Sequence, residues 1–173
     1  MKPRTLIFTG EGKGKTTAAF GLVLRAAGHG QRVLVVQFLK SNTATGELNA
    51  CAQLPQVEVV QMGRGFVPPL GHSAFAAHRE TANEALVFAQ ESVASGKYDL
   101  IVLDEICGAI ARELIDEEEV IHLLTMPARR ACIVLTGRHA SKHLMSHADT
   151  VTEMHCISHG YTEGIVAQEG VEF

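Results

Sequence analysis

Short apolar runs alternate with longer stretches of helical periodicity along the whole chain. Leu6-Ile7-Phe8 reads as a short buried strand, and further strands are expected at 33–38, 57–62, 100–103, 132–135 and 150–154. Between them the pattern predicts a helix over 16–27, closed by Gly28-His29-Gly30. A long helix is expected over 73–94, ending near Gly96. Asp116 reads as a helix N-cap, with Glu119 completing a capping box and the helix running to about Met126. A short helix over 141–146 precedes the last strand. Strands that are apolar almost throughout are buried on both faces, which means a parallel sheet layered with helices. No repeat, linker or low-complexity tract interrupts the pattern, so residues 1–173 read as a single α/β domain. In such a sheet, ligands bind at the carboxyl ends of the strands.

The first strand runs into Gly10-Glu11-Gly12-Lys13-Gly14-Lys15-Thr16-Thr17, and a helix begins at Thr16. Strand, glycine-rich turn and helix together form the setting of a phosphate-binding loop. Backbone N–H groups of the turn and the helix N-terminus converge where an anion is favoured. Lys15 supplies a point charge to phosphate oxygens, and Thr16 offers a hydroxyl to Mg²⁺. The match to G-x-x-x-x-G-K-[ST] is not strict, because Thr9 stands where the first glycine is usual and Gly10 follows it. A glycine-rich turn with incidental lysines is the plain alternative.

Leu100-Ile101-Val102-Leu103 ends in Asp104-Glu105, an acid pair at the ligand edge of the sheet. Such an acid holds Mg²⁺ directly or through water. A helix N-cap at Asp104 is the plainer reading, and the pattern does not say which carboxylate meets the metal. Thr136-Gly137-Arg138 follows the fifth strand, where Arg138 can clamp phosphate or ribose or simply lie in a surface turn. Arg25 on the first helix either reaches the nucleotide or caps its own helix. His139, His143 and His147 share one spacing, and a solvated helix face outweighs a metal site because no acidic or cysteine ligand accompanies them.

Composition narrows the class. The net charge is -4, which gives no general attraction to nucleic acid or anionic membrane. No apolar run approaches the roughly 20 residues of a membrane span. The start Met1-Lys2-Pro3-Arg4 is unlike a signal peptide, and Cys51, Cys107, Cys132 and Cys156 form no C-x-x-C pair. A cytoplasmic protein with free thiols is expected.

The loop from Thr9 through Gly21 closely resembles that of the P-loop ATP:corrinoid adenosyltransferases. The likeness continues through Arg25-Ala26-Ala27-Gly28-His29-Gly30, Val35-Val36-Gln37-Phe38-Leu39-Lys40, Gly46-Glu47 and Asn49, Gly65-Phe66, Val102-Leu103-Asp104-Glu105-Ile106, Thr136-Gly137-Arg138 and Ala148-Asp149-Thr150-Val151-Thr152-Glu153. It ends with the tail Gly164-Ile165-Val166-Ala167-Gln168-Glu169-Gly170-Val171-Glu172-Phe173. The resemblance implies a RecA-like, mostly parallel sheet in a homodimer. It implies transfer of the 5′-deoxyadenosyl group of ATP to Co(I) of a corrinoid, with release of triphosphate. Gly10, Glu11, Gly12, Lys13, Gly14, Lys15, Thr16 and Thr17 would bind the phosphates, with Arg25 and Arg138 as further candidates. Thr16 and Glu105, with Asp104, would hold Mg²⁺ or Mn²⁺. Lys15 and Phe66 would act in the reaction, Phe66 beside the corrin, where the family places aromatic residues that help displace the lower axial ligand. Some members carry a tryptophan two residues after that phenylalanine, where this chain has Pro68 and no tryptophan at all. Some members also have an N-terminal extension over the site, whereas here the first strand is expected almost at once.

The inventory suits that chemistry. Co(I) is itself a strong nucleophile, so positioning and charge stabilisation are what a protein must supply. No flavin or iron–sulfur motif is visible, so the electron donor that makes Co(I) is expected to be a separate flavoprotein. The rivals are a RecA-like ATPase, which a basic nucleic-acid groove would favour, and a corrinoid carrier that reads ATP as a signal.

Overall fold

A computed structural model describes residues 2–41 and 45–172. Phe173, at the end of the tail quoted above, lies outside the described residues. The chain runs β1 (Thr5–Thr9), α1 (Lys15–Gly28), β2 (Val33–Gln37), α2 (Gly46–Cys51), β3 (Val57–Gln61), α3 (Phe75–Ala94), β4 (Leu100–Asp104), α4 (Ile106–Ala111), α5 (Glu117–Leu124), β5 (Cys132–Thr136), α6 (Lys142–Ser146) and β6 (Thr150–Glu153). A 3₁₀ turn at Gly160–Glu163 lies in the tail.

The six strands form one sheet in the order β3-β2-β4-β5-β1-β6. Every pairing is parallel, so the sheet is wholly rather than mostly parallel. Alternate residues of each strand point to opposite faces, and both faces are covered. Leu34, Val36, Ile101, Leu103, Ile133 and Leu135 pack towards α3 and α5 in the larger core. Val33, Val35, Val102 and Val134 pack on the other face against Ala19, Val23 and Ala26 of α1. This two-sided burial is why β2 and β4 are apolar almost throughout. At the edge, β6 is exposed at every residue.

Expected elements and observed ones differ mainly at their ends. The long helix starts at Phe75, and α5 stops at Leu124. Asp116 does cap α5, accepting from the Glu118 N–H at 3.0 Å. Glu119 does not close a capping box; its carboxylate faces Gln90 of α3 instead. Ser141 caps α6 through the Leu144 N–H at 2.9 Å. Two short helices, α2 and α4, are not evident in the hydrophobic pattern. All strands being parallel, their carboxyl ends share one edge, and the phosphate loop, Asp104, Thr136 and the segment after β3 all emerge there.

Candidate active site

The turn after β1 is shaped for close backbone approach. Gly14, the N-cap of α1, has φ 107° and Gly10 has φ 95°, both in the left-handed region that favours glycine. A Cβ on Gly10 would lie 2.4 Å from the Met154 carbonyl oxygen, and one on Gly12 would lie 2.8 Å from the same backbone segment. The chain beyond β6 therefore lies directly on the loop, and the Gly12 N–H donates to the Met154 carbonyl at 2.6 Å. Thr9, in the place of the usual first glycine, has its own task. Its hydroxyl accepts from the Ala140 N–H at 3.2 Å, tying the loop to the segment that follows β5.

Lys15 is buried and turns its ammonium onto the Gly10 and Gly12 carbonyls, at 2.7 and 2.6 Å. Desolvation holds its pKa below the ordinary lysine value, with Glu105 pulling the other way.

β5 stands between the loop strand β1 and the acid strand β4. Asp104 is completely buried. One of its oxygens, Oδ1, accepts from the hydroxyls of Thr16 and Thr136, each at 2.8 Å. The other, Oδ2, accepts from Gln37 Nε2 at 2.8 Å and from Lys40 Nζ at 3.1 Å. The acceptor positions of this carboxylate are thus filled. Glu105 follows with φ 66°, a left-handed conformation uncommon for a non-glycine residue. Its N–H donates to Thr136 Oγ1 at 2.9 Å. Burial, and then the charge of Asp104, raise its carboxyl above the ordinary value, while Lys40, Lys15 and Arg112 oppose the rise.

Arg138 lies 3.3 Å from Glu11 of the loop, an exposed pair. Gly137 before it has φ 134°, and a Cβ there would sit 2.7 Å from the Gly108 nitrogen. The Thr-Gly-Arg turn is therefore pressed onto the start of α4. Phe66 is 92% exposed, on the loop that leaves β3 at the same sheet edge. That exposure excludes a core anchor for its ring.

The model of the family described as ATP:corrinoid adenosyltransferase BtuR/CobO/CobP matches residues 1–173. The chain belongs to this family. The corrinoid adenosyltransferase of Escherichia coli (strain K12) is 36% identical over 170 residues, covering 97% of this chain and 84% of that one. The corrinoid adenosyltransferase of Pseudomonas aeruginosa is 37% identical over 170 residues, covering 97% and 82%. Among solved structures, the flagellar accessory protein FlaH from Methanocaldococcus jannaschii superposes with TM-score 0.58 at 13% identity, over 87% of this chain and 70% of that one. That likeness shows the fold alone, and the fold is the RecA-like P-loop architecture.

Not every candidate residue reaches the glycine loop. Gly10 to Thr17, Asp104 and Glu105 converge there, and Arg138 stands at its rim. Arg25 does not join them. It lies in the last turn of α1, ten residues beyond Lys15 and so about 15 Å along the helix. There it lines a cleft of about 290 Å³ with Arg4, His29 and Asp99, at the opposite end of the sheet. The three histidines do not share one helix either. His139 precedes α6 with φ 60°, while His143 pairs with Glu118 at 3.2 Å. Among the described residues no group of three or more His, Cys, Asp or Glu could hold a metal. Four contributors escaped the sequence reading: Gln37, Lys40, Thr136 as a donor to Asp104, and the Met154 carbonyl. A polar residue ending an apolar strand was the signal for Gln37 and Thr136. Lys40 gave no local signal.

Proposed function

We propose that the chain transfers the 5′-deoxyadenosyl group of ATP to Co(I) of a corrinoid and releases triphosphate, in adenosylcobalamin biosynthesis or salvage. The observation that carries this reading is the phosphate loop and its acid pair sharing one sheet edge with an exposed aromatic ring, in a chain that matches the adenosyltransferase family from end to end. The cobalt contributes the electron pair. The Co–C5′ bond forms as the bond between C5′ and its oxygen breaks, and triphosphate departs with the bonding electrons. No general base is required, so the protein's part is alignment and electrostatic stabilisation.

On this reading Lys15 leaves the Gly10 and Gly12 carbonyls for phosphate oxygens, and the loop N–H groups other than that of Gly12, which donates to Met154, hold the rest of the triphosphate. Lys13 and Arg138 add charge at the rim. Phe66 meets the lower face of the corrin and excludes base and water from cobalt. The donor set fits Mg²⁺, or Mn²⁺ in its place, because it consists of hard oxygens. Thr16, whose hydroxyl already donates to Asp104, keeps lone pairs for a metal, and Glu105 brings a carboxylate. Asp104, with both oxygens occupied, stands behind Thr16 as its orienting partner. When bound, the metal would neutralise charge on the departing triphosphate.

Three further parts belong to the proposal: a homodimer, a cytoplasmic location, and a separate flavoprotein that delivers the electron for Co(II) reduction. No described helix is long and apolar enough to cross a membrane. The test is an incubation with ATP, Mg²⁺ and cobalamin reduced chemically to Co(I), which needs no protein donor. Adenosylcobalamin and triphosphate should form in equal amounts. ADP and phosphate without adenosylcobalamin would mark an ATPase, and absence of any product would mark a carrier.

A further inference from the structure

We propose that Lys40 is a positioning residue for the metal-binding corner, acting through Asp104; this rests on the functional reading above. Asp104 has no exposed surface, and the ammonium of Lys40, 3.1 Å from Oδ2, is the cation paired with it among the described residues. Its other partners, Thr16, Thr136 and Gln37, are neutral. Gln37 and Lys40 together fill Oδ2, which fixes the turn of the carboxylate and so the direction Oδ1 faces. With Oδ2 held, Oδ1 is left to accept from Thr16 and Thr136 at once. Accepting from Thr16 aims that hydroxyl's lone pairs away from Asp104, towards the mouth of the site. Lys40 therefore fixes, at one remove, where Thr16 presents its oxygen.

The backbone of Lys40 is itself held. The Phe38 N–H donates to the Asp104 carbonyl at 3.0 Å, and the Leu39 carbonyl accepts from the Gly65 N–H at 2.9 Å. Gly63 packs so closely on this peptide that a Cβ would lie 2.1 Å from the Leu39 carbonyl carbon and 2.5 Å from the Lys40 nitrogen. The lysine thus starts from a fixed point between the acid strand and the base of the Phe66 loop. The side chain keeps 37% exposure, which leaves the ammonium able to adjust when charge enters the site.

An ordinary surface ion pair is the competing description, but one end of this pair is wholly buried. The orienting groups behind metal ligands govern metal affinity, and their loss costs about 10- to 100-fold. The test is ATP binding by calorimetry, in EDTA and across a Mg²⁺ titration, together with steady-state transfer. In Lys40→Met the Mg²⁺ concentration for half-maximal effect should rise by about 10-fold or more. Metal-free ATP affinity and the KM for corrinoid should stay within about twofold, and Lys40→Arg should recover most of the loss. If Lys40→Met does not fold, Lys40→Gln, which keeps a donor without the charge, carries the same test. Unchanged Mg²⁺ dependence would overturn the assignment, as would an equal fall in ATP affinity with and without metal, which would make Lys40 a direct phosphate contact. If the wild-type chain binds ATP with no response to Mg²⁺, the metal corner itself is wrong and the failure lies with the functional reading.

Discussion

Lys15 spends its ammonium on two backbone carbonyls of its own loop, so little of the fold depends on it. Lys15→Ala should abolish adenosyl transfer and leave the melting temperature within a few degrees of wild type. Near-normal turnover would remove the phosphate-loop assignment. Glu105 offers a pH-dependent prediction. Burial, then Asp104, hold its folded pKa above the ordinary 4.5, so the folded chain keeps the proton more tightly than the unfolded chain. The cost of ionising it is absent below that ordinary value, grows as pH rises towards the folded value, and is complete above it. Glu105→Gln should therefore raise the melting temperature more at pH 7 than at pH 4, while impairing Mg²⁺-dependent turnover more than corrinoid binding. A larger gain at pH 4 would show the sign to be wrong. Phe66, 92% exposed, contributes little to stability. Phe66→Ala should slow transfer to cobalamin by about tenfold more than transfer to cobinamide, which has no base to displace. Equal losses on the two substrates would end that role.

At the scale of elements, the strands and the long helices were legible because each carries a pattern of its own. β2 and β4 are apolar on both faces since helices cover both, and α1 announces itself by the glycine turn before it and Gly30 after it. α4 was not legible. It is six residues long, and its N-cap, Glu105, has a left-handed φ and makes no side-chain cap. α2 likewise starts without a side-chain cap. The site was half legible for the same reason. The loop and the acid pair are each a contiguous run in sequence, but Asp104 meets Lys40, Gln37 and Thr136 only because β2, β4 and β5 lie side by side. Arg25 shows the converse: a basic residue close in sequence to the loop is carried away from it by the helix rise. The Thr136-Gly137-Arg138 turn can be tested directly. Gly137→Ala would force a Cβ to 2.7 Å from the Gly108 nitrogen at φ 134°, so either the turn or α4 must move. Stability in urea should fall by about 1–3 kcal/mol, with a rise in the KM for ATP as Arg138 is displaced. Unchanged stability would mean that the contact relaxes freely.

Across the whole molecule, the end of the chain returns to its beginning. β6 pairs with β1 as an edge strand, and the residues after it lie on the phosphate loop. Met154 already occupies the Gly12 N–H, and Glu172 pairs with Lys13, 159 residues away in sequence. Glu172 is steadied from behind, since its other oxygen accepts from the Gln168 N–H at 2.9 Å. The tail is otherwise lightly held: Ile157, Tyr161, Ile165, Val166 and Val171 are all exposed, and its 3₁₀ turn buries nothing. A triphosphate that uses Lys13 must therefore displace a carboxylate. Glu172→Gln keeps the size and the hydrogen-bonding reach of the side chain and removes the competing charge. Triphosphate should then bind about two- to fivefold more tightly at low salt, the modest size expected for an exposed pair. The difference should shrink in 0.5 M salt, where screening weakens both the pair and the phosphate contact. Calorimetry with inorganic triphosphate at the two salt concentrations reads both effects. Weaker binding in the variant would reverse the conclusion, making Glu172 a residue that holds Lys13 in place for phosphate instead of one that competes with it.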